Sequence, residues 1–331
     1  LKVIRGPHYL TAALLACVAI NSAPAALAQD YPTRFVTIVA PFQAGGPSDT
    51  VARLIAAPMS KALGQQVVVE NVSGAGGTIG SGRVAKAAPD GYTLGISGSG
   101  THAAVEQLYA NPPYRALDFE SVGLINTTPV VIVGKRDLPP NTLGELVAYL
   151  RANEKAVTEA DAGVGSVSHL ACSVFHSLIG IKPTVVTYRG TPQATQDLLA
   201  GNVDFLCNQI VNIVEHAKAG SLKAYAVTGE KRSPMLPNVP TTAEAGLPDF
   251  KLTVWYGLSA PKGTPGPIVA KLNQALSAAM DDPTVVKRFA DLGYDVVARQ
   301  QRSPAAFEEF MRGEVDLWTR VLGSMKPPNS P

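Results

Sequence analysis

No run rich in lysine and arginine occurs in this 331-residue chain, and 28 Lys+Arg against 26 Asp+Glu leave a formal charge of only +2. A nucleic-acid binder concentrates basic surface against the phosphate backbone, so nucleic acid is not expected as a partner. Cysteine is scarce, three in all, and only Cys172 and Cys207 lie outside the N-terminal segment. In an oxidising compartment two thiols that come close can bridge. The nearest catalytic signatures each lack a part. Gly74, Gly76 and Gly80 give G-x-G-x-x-x-G, one residue off the dinucleotide fingerprint, and Ile96-Ser-Gly-Ser-Gly100 stands where an acidic residue belongs. Gly95-Ile-Ser97-Gly-Ser99 approaches a nucleophile elbow without its final glycine. With no paired carboxylates and no Ser-His-acid order, an enzyme is not expected; a hydrolase using Ser97 or Ser168 stays as the lesser alternative.

What is present is ordinary globular usage, 46% hydrophobic and 16% charged, with 30 Gly and 26 Pro marking many turns. The chain suits one very large domain or two medium ones. Its start reads differently from the rest. Lys2 and Arg5 are followed by the apolar run Tyr9 to Ile20 and then by Ala26-Leu27-Ala28, a small-x-small pattern before Gln29. That order is a secretory signal peptide over residues 1–28, cleaved near Ala28, and its apolar run is shorter than the roughly 20 residues of a bilayer span. Leu14-Leu15-Ala16-Cys17 approaches a lipoprotein site that Leu15 fits poorly, so a lipid anchor stays open as the alternative. Cleavage would remove two basic and no acidic side chains, leaving 26 against 26.

Strand-like and helix-like patterns then alternate, which predicts α/β architecture with mostly parallel sheets. Phe35 to Ala40 is a β-favouring run followed by the turn-rich Pro41 to Asp49 and a helix ending at Gly64. Val67 to Glu70, the loop Asn71 to Gly77 and a helix from Thr78 repeat the scheme, and Tyr92 to Ser97 is a third strand. The scheme restarts after a helix opened by Thr142-Leu-Gly-Glu145, with the loop Gly163 to Ser168 before another helix. Three closing helices bring no equal share of strands. The segment from Leu252 onward is therefore expected to return to the first domain, giving residues 31–130 plus 253–325 as one domain, 131–252 as the other, and a hinge of two connections.

Chemistry concentrates in the corners between strand and helix. Ala40-Pro-Phe-Gln-Ala-Gly-Gly-Pro-Ser-Asp49, Ser73-Gly-Ala-Gly-Gly-Thr-Ile-Gly80 and Gly163-Val-Gly-Ser-Val-Ser168 each set glycines and hydroxyls before a helix N-terminus. Unpaired N–H groups and the helix dipole there hold an anion without a basic side chain. Hydrogen bonds to a charged group contribute about 1.5 to 3 kcal/mol each, so three or four sustain micromolar binding, which needs about 8 kcal/mol. Ser97, Ser99 and Thr101 are read as pocket lining. Asp49 either accepts from the ligand or a bridging water, or caps its own helix. Arg189 either holds a second ligand carboxylate or makes an ordinary surface pair. His169, Cys172 and His176 share a helical face, but His169 and His176 are about 10 Å apart along the axis, so at most two could share an ion, and no metal site is expected.

The segments PFQAGGPSD, VVVENVSGAGGTIG, AKAAPDGYTL, GVGSVSHLA, TYRGTPQATQDLLAGNVDF, LKAYAVTGEKRSPMLPNVPTTAEAG and WYGLSAPKGTP together resemble the substrate receptors of tripartite tricarboxylate transporters, also called Bug-type solute-binding proteins. The likeness runs from Tyr31 to about Leu322. It implies a type II periplasmic-binding-protein fold, two doubly wound α/β domains closing on a small carboxylate, di- or tricarboxylate or aromatic acid, without a cofactor. It implies a periplasmic monomer that delivers its ligand to large and small membrane subunits; a sensor feeding a signalling system is the alternative. Carried over, the constant contacts are Phe42, Gly45, Gly46, Pro47, Ser48, Asp49, Ala75, Gly76, Gly77 and Thr78. The selective contacts are Ser166, Ser168, His169, Arg189 and Asn208, where many members carry Asp at the position of Asn208. Receptors of this kind can carry both cysteines, which implies a Cys172–Cys207 disulfide.

Overall fold

The computed structural model describes residues 31–325, so the expected signal peptide and Cys17 lie outside the described residues. The strands are β1 (Val36–Ala40), β2 (Val67–Asn71), β3 (Thr93–Gly98), β4 (Phe119–Lys135), β5 (Thr158–Asp161), β6 (Thr184–Thr187), β7 (Phe205–Gln209), β8 (Leu222–Val227), β9 (Thr253–Pro261) and β10 (Asp295–Val296). They run in the order β2-β1-β3-β9-β4-β7-β5-β6, with β8 and β10 also paired to β4. The pairs β1–β2, β1–β3, β5–β6 and β5–β7 are parallel. Every pair made by β4 or β9 is antiparallel. The expectation of mostly parallel sheets therefore holds at the two flanks and fails in the middle, where no crossover helix joins the strands.

β4 is the organising strand. From Phe119 to Pro129 it pairs with β9, and from Val130 to Gly134 with β7. Its partners thus change between Pro129 and Val130, and the chain comes back to the first half at Thr253, opposite Pro129. In the first half β1 is buried along nearly its whole length, and the helix Pro47–Leu63 covers it with Val51, Ile55 and Met59. Apolar residues repeating at helical spacing account for that buried stripe. The helix Gly266–Asp281 ties to β4 through Asn273, whose Nδ2 donates to the Val122 carbonyl at 2.8 Å. The last helix, Pro304–Met325, buries Phe307 edge-on to Trp255 at 5.7 Å, while Glu314 accepts the Trp255 indole N–H at 2.8 Å. These helices cover strands already laid down.

In the second half the helix Leu143–Ala152 starts at Thr142, whose hydroxyl accepts the Glu145 N–H. The reciprocal bond of a full capping box shifts by one residue, since the Glu145 carboxylate accepts from Asn141 N. The helices Val167–Ile179 and Thr191–Ala200 both end at left-handed glycines, Gly180 and Gly201. Cys172 and Cys207 form a disulfide in a fully buried cluster, with Cα atoms 5.4 Å apart, pinning the Val167–Ile179 helix to β7. Such a bridge contributes about 2 to 4 kcal/mol.

Candidate functional site

The first corner follows β1. Gly45 takes a left-handed φ of 79°, and Gly46 is the N-cap of the Pro47–Leu63 helix with no side-chain cap. Glycine at the cap and proline in the first turn leave the Ser48 and Asp49 amides for an outside acceptor. The Ser48 hydroxyl is buried and has no partner among the described residues. Asp49 turns back into its own loop: it accepts the Gly45 N–H at 2.9 Å and pairs with Arg53 Nε at 2.9 Å. Burial works against its charge, but Arg53, the Gly45 amide and Asn71 together hold its pKa below the ordinary value. Asp49 therefore bonds within its own loop and to Arg53 and does not cap its helix, whose N-cap is Gly46.

The second corner follows β2 and is wound left-handed, with Gly74, Ala75, Gly76 and Gly77 all at positive φ. Ala75 is the one non-glycine in this conformation among the described residues, at φ 45°. The helix Thr78–Ala85 begins on Gly77, again without a side-chain cap. Thr78 donates its hydroxyl to the Ala75 carbonyl at 2.8 Å. Beside it a π-type turn over Ser99–Ala103 follows β3. Ser99 is buried and its hydroxyl has no partner among the described residues, whereas Thr101 sits 3.0 Å from His102 Nδ1. Full burial lowers the His102 pKa to about 3, so its ring stays neutral.

The third corner, after β5, is built differently. Ser166 caps the Val167–Ile179 helix by accepting His169 N, Ser168 accepts Ala162 N at 2.9 Å, and Asp161 accepts Gly163 N at 2.9 Å. His169 Nδ1 faces Gly165 N at 3.4 Å; burial lowers its pKa, partly offset by Asp161 and reinforced by His176, so the ring is a neutral acceptor. Four amides of this corner, those of Ala162, Gly163, Gly165 and His169, are thus taken by its own side chains. It turns carbonyls to the first half instead.

The corners meet closely. A Cβ on Gly76 would lie 1.6 Å from the Val164 carbonyl oxygen, and one on Gly100 would lie 1.7 Å from that of Gly165. Only glycine permits these approaches. Tyr109, which the sequence reading missed, donates toward both the Ala75 and Val164 carbonyls, at 3.2 and 3.1 Å. Gln43 likewise packs on Gly190. Between the halves remains a cavity of about 20 Å³ walled by Phe42, Ser99, Thr101, Gly165, Val167 and Tyr256. That volume holds about one water. Gln209 of β7 donates to Tyr256 of β9 at 2.6 Å, and its own Oε1 has no partner among the described residues, another polar group the sequence did not signal.

The remaining expected contacts are scattered. Ser97 bonds Ser259 across the β3–β9 pair, and Ser168 bonds Ser166; among the described residues neither serine hydroxyl is bonded to a histidine ring, as the hydrolase alternative would need. Asn208 is buried, with its side chain bonded to Gln209 N, Thr195 and Asn212. Arg189 is exposed beside Gly190. A roomier surface cavity of about 720 Å³ lies between the Pro47–Leu63 and Pro283–Asp291 helices, away from the corners. No helix among the described residues is long and apolar enough to cross a membrane.

Two α/β halves closing strand-to-helix corners upon each other define a periplasmic binding protein of the type II fold, a receptor class rather than an enzyme class. The chain belongs to the tripartite tricarboxylate transporter receptor family, whose profile matches residues 51–325. A UPF0065 protein encoded in the TAR-I ttuE-ttuC' intergenic region of Agrobacterium vitis is 48% identical over 299 residues, covering 90% of this chain and 86% of its own. Among solved structures, MatC from Rhodopseudomonas palustris with bound malate superposes with TM-score 0.86 at 44% identity, covering 88% of this chain and all of its own. The periplasmic binding protein BugD gives 0.85 at 40%, covering 89% and 98%. Rpa4515 of R. palustris with adipate gives 0.83 at 32%, with the same coverage.

Proposed function

We propose that this receptor captures a small aliphatic dicarboxylate between its two halves and delivers it to the large and small membrane subunits of a tripartite tricarboxylate-type transporter. The observation that carries this reading is the pair of uncapped helix N-termini, at Gly46 and Gly77, with two buried hydroxyls that have no partner among the described residues, Ser48 just inside the first helix and Ser99 on the wall of the small cavity beside Phe42. They supply hydrogen-bond donors without a titrating cation, which suits a carboxylate and leaves a neutral sugar or an amine poorly served. Malate in MatC and adipate in Rpa4515 are both dicarboxylates, which favours this class over aromatic acids. Phe42, Gly45 to Asp49, Ala75 to Thr78, Ser99 and Thr101 form the proposed near side of the site, with Ser166, Ser168, His169, Arg189 and Asn208 shaping the far side. Residues 31–130 plus 253–325 and residues 131–252 are the proposed domains. A signal peptide over residues 1–28 and action as a periplasmic monomer complete the proposal.

A thermal-shift screen of malate, adipate, citrate, benzoate, sugars and amines on protein unfolded and refolded to strip carried-over ligand tests it. A dicarboxylate at 100 times its Kd should stabilise the fold by about 2.7 kcal/mol. Stabilisation by sugars or amines alone would overturn the assignment.

A further inference from the structure

Away from the corners, the Val167–Ile179 helix carries two side chains one turn apart, Cys172 and His176, toward β5 and β7. Cys172 is bonded to Cys207 of β7, and His176 Nε2 touches a carboxylate oxygen of Glu159 on β5. The ligand-capable atoms of Glu159, Cys172 and His176 all lie within 4.8 Å of one another, and the Cys207 sulfur is bonded to that of Cys172. Glu159 is 2% exposed. Burial pushes its carboxyl upward and His176 pulls it back. Phe175 and Phe205 surround the imidazole. Setting an ionisable pair in such apolar surroundings costs desolvation that a plain hydrophobic contact avoids.

We propose that reduction of the Cys172–Cys207 bridge turns this cluster into a four-ligand zinc site made of two thiolates, His176 Nε2 and a Glu159 carboxylate oxygen. Two sulfurs, one imidazole nitrogen and one carboxylate oxygen are donors zinc accepts, at about 2.3 Å for sulfur and about 2.0 to 2.2 Å for nitrogen and oxygen. A tetrahedron with those bonds sets its donors roughly 3.3 to 3.8 Å apart. The Glu159–His176 pair, already in contact, must open to reach that spacing, the widest separation among the three donors must shorten, and the two sulfurs, once unbonded, separate. A dithiol reductant supplies the two electrons: its two S–H bonds are lost as it becomes a disulfide, and the Cys172–Cys207 bond is replaced by two thiols. Zinc then displaces both thiol protons to solvent; its two positive charges balance the two thiolates, and the Glu159 carboxylate leaves the filled site with one net negative charge. With the bridge intact the sulfurs have no thiolate to offer, so oxidation closes the site. Entry is available, because His176 lies on the wall of a surface cavity of about 610 Å³ between Glu154 and Lys182. None of these four residues belongs to the proposed carboxylate contacts, so this inference stands or falls independently of them.

The test uses untagged protein in a Cys17→Ser background, which removes the sequence's third cysteine. Zinc is counted with a competing chromophoric chelator on the oxidised form and on the form reduced by a dithiol and then freed of it without air. The expected result is one equivalent bound by the reduced protein and none by the oxidised, with cobalt in place of zinc giving thiolate-to-metal charge-transfer absorption and a tetrahedral d–d spectrum. His176→Gln and Glu159→Gln should each weaken the reduced protein's zinc affinity at least tenfold. If reduction unfolds the chain, zinc should restore its far-ultraviolet circular dichroism. Zinc uptake that ignores the bridge, uptake unchanged by both variants, no uptake, or an unfolded reduced chain that zinc cannot rescue would each overturn the proposal.

Discussion

The first and third corners are written in the same residues and do opposite things. Both follow a strand, both are rich in glycine with a serine, and both open a helix. At the first, glycine caps the helix and Ser48 falls inside it, so the amides and the hydroxyl are left for a visitor. At the third, serine is the cap, and Ser166, Ser168, His169 and Asp161 take up the loop's own N–H groups. If the first corner holds the proposed carboxylate, the side chain at the cap position decides how many of a glycine-rich corner's amides stay open to an anion.

The sharpest way to break this contrast is Gly76→Ala. The new methyl would meet the Val164 carbonyl only when the halves are closed, and φ 60° adds strain. Ligand affinity should fall by roughly a hundredfold or more as the closed population shrinks, with the circular dichroism of the unliganded protein kept. Unchanged affinity by calorimetry would mean that the corners need not meet. Ser48→Ala comes next, with a loss of roughly tenfold to a hundredfold in dicarboxylate affinity from one hydrogen bond to a charged group. No change would remove Ser48 from the site. Gly46→Ser writes the third corner's solution into the first. Its Cβ lies 3.1 Å from the Gln43 carbonyl, a tight fit, and its hydroxyl would compete for the same amides, so affinity should drop about tenfold while stability stays within about 0.5 kcal/mol. Ser166→Ala is the mirror experiment: chemical denaturation should show a loss of about 1 kcal/mol, with a smaller fall in affinity than Ser48→Ala gives.

The smallest effect is electrostatic. Asp49 has its folded pKa lowered from 3.8, so its contribution to stability is present above that value and is lost as pH falls through the lower, folded one. Asp49→Asn should therefore flatten the acid limb of a melting-temperature profile below about pH 4, an effect absent if Asp49 served only a ligand.

The first two corners were legible because glycines at positive φ and a proline in the first helical turn have no substitute there. The third corner was visible as a loop, but the bonds its side chains make to its own amides were not. Ser166 and Ser168 look the same in a string of letters whether they face a ligand or their own backbone. β4 escaped notice because FESVGLINTTPVVIVGK neither alternates nor stays apolar, and it contains a proline. Its conformation is set by partners far along the chain, from β7 to β10, that no local pattern announces. β5, spelled TEAD, hides for a related reason: Glu159 and Asp161 are buried charges answered by His176 and by the Gly163 amide. The cysteine pairing was implied by family likeness alone, since spacing along a chain says nothing about proximity.

β4 has a mechanical meaning beyond its place in the sheet. One uninterrupted strand enters both halves, as a spine enters both covers of a book, so neither half can slide past the other. The pairing changes hands after Pro129, opposite Thr253 where the chain returns, so a swing of one half on the other would turn on both connections. Such a spine would confine any closing to one repeatable arc, and whatever docks on the receptor would then meet the same outline at every turn of the cycle.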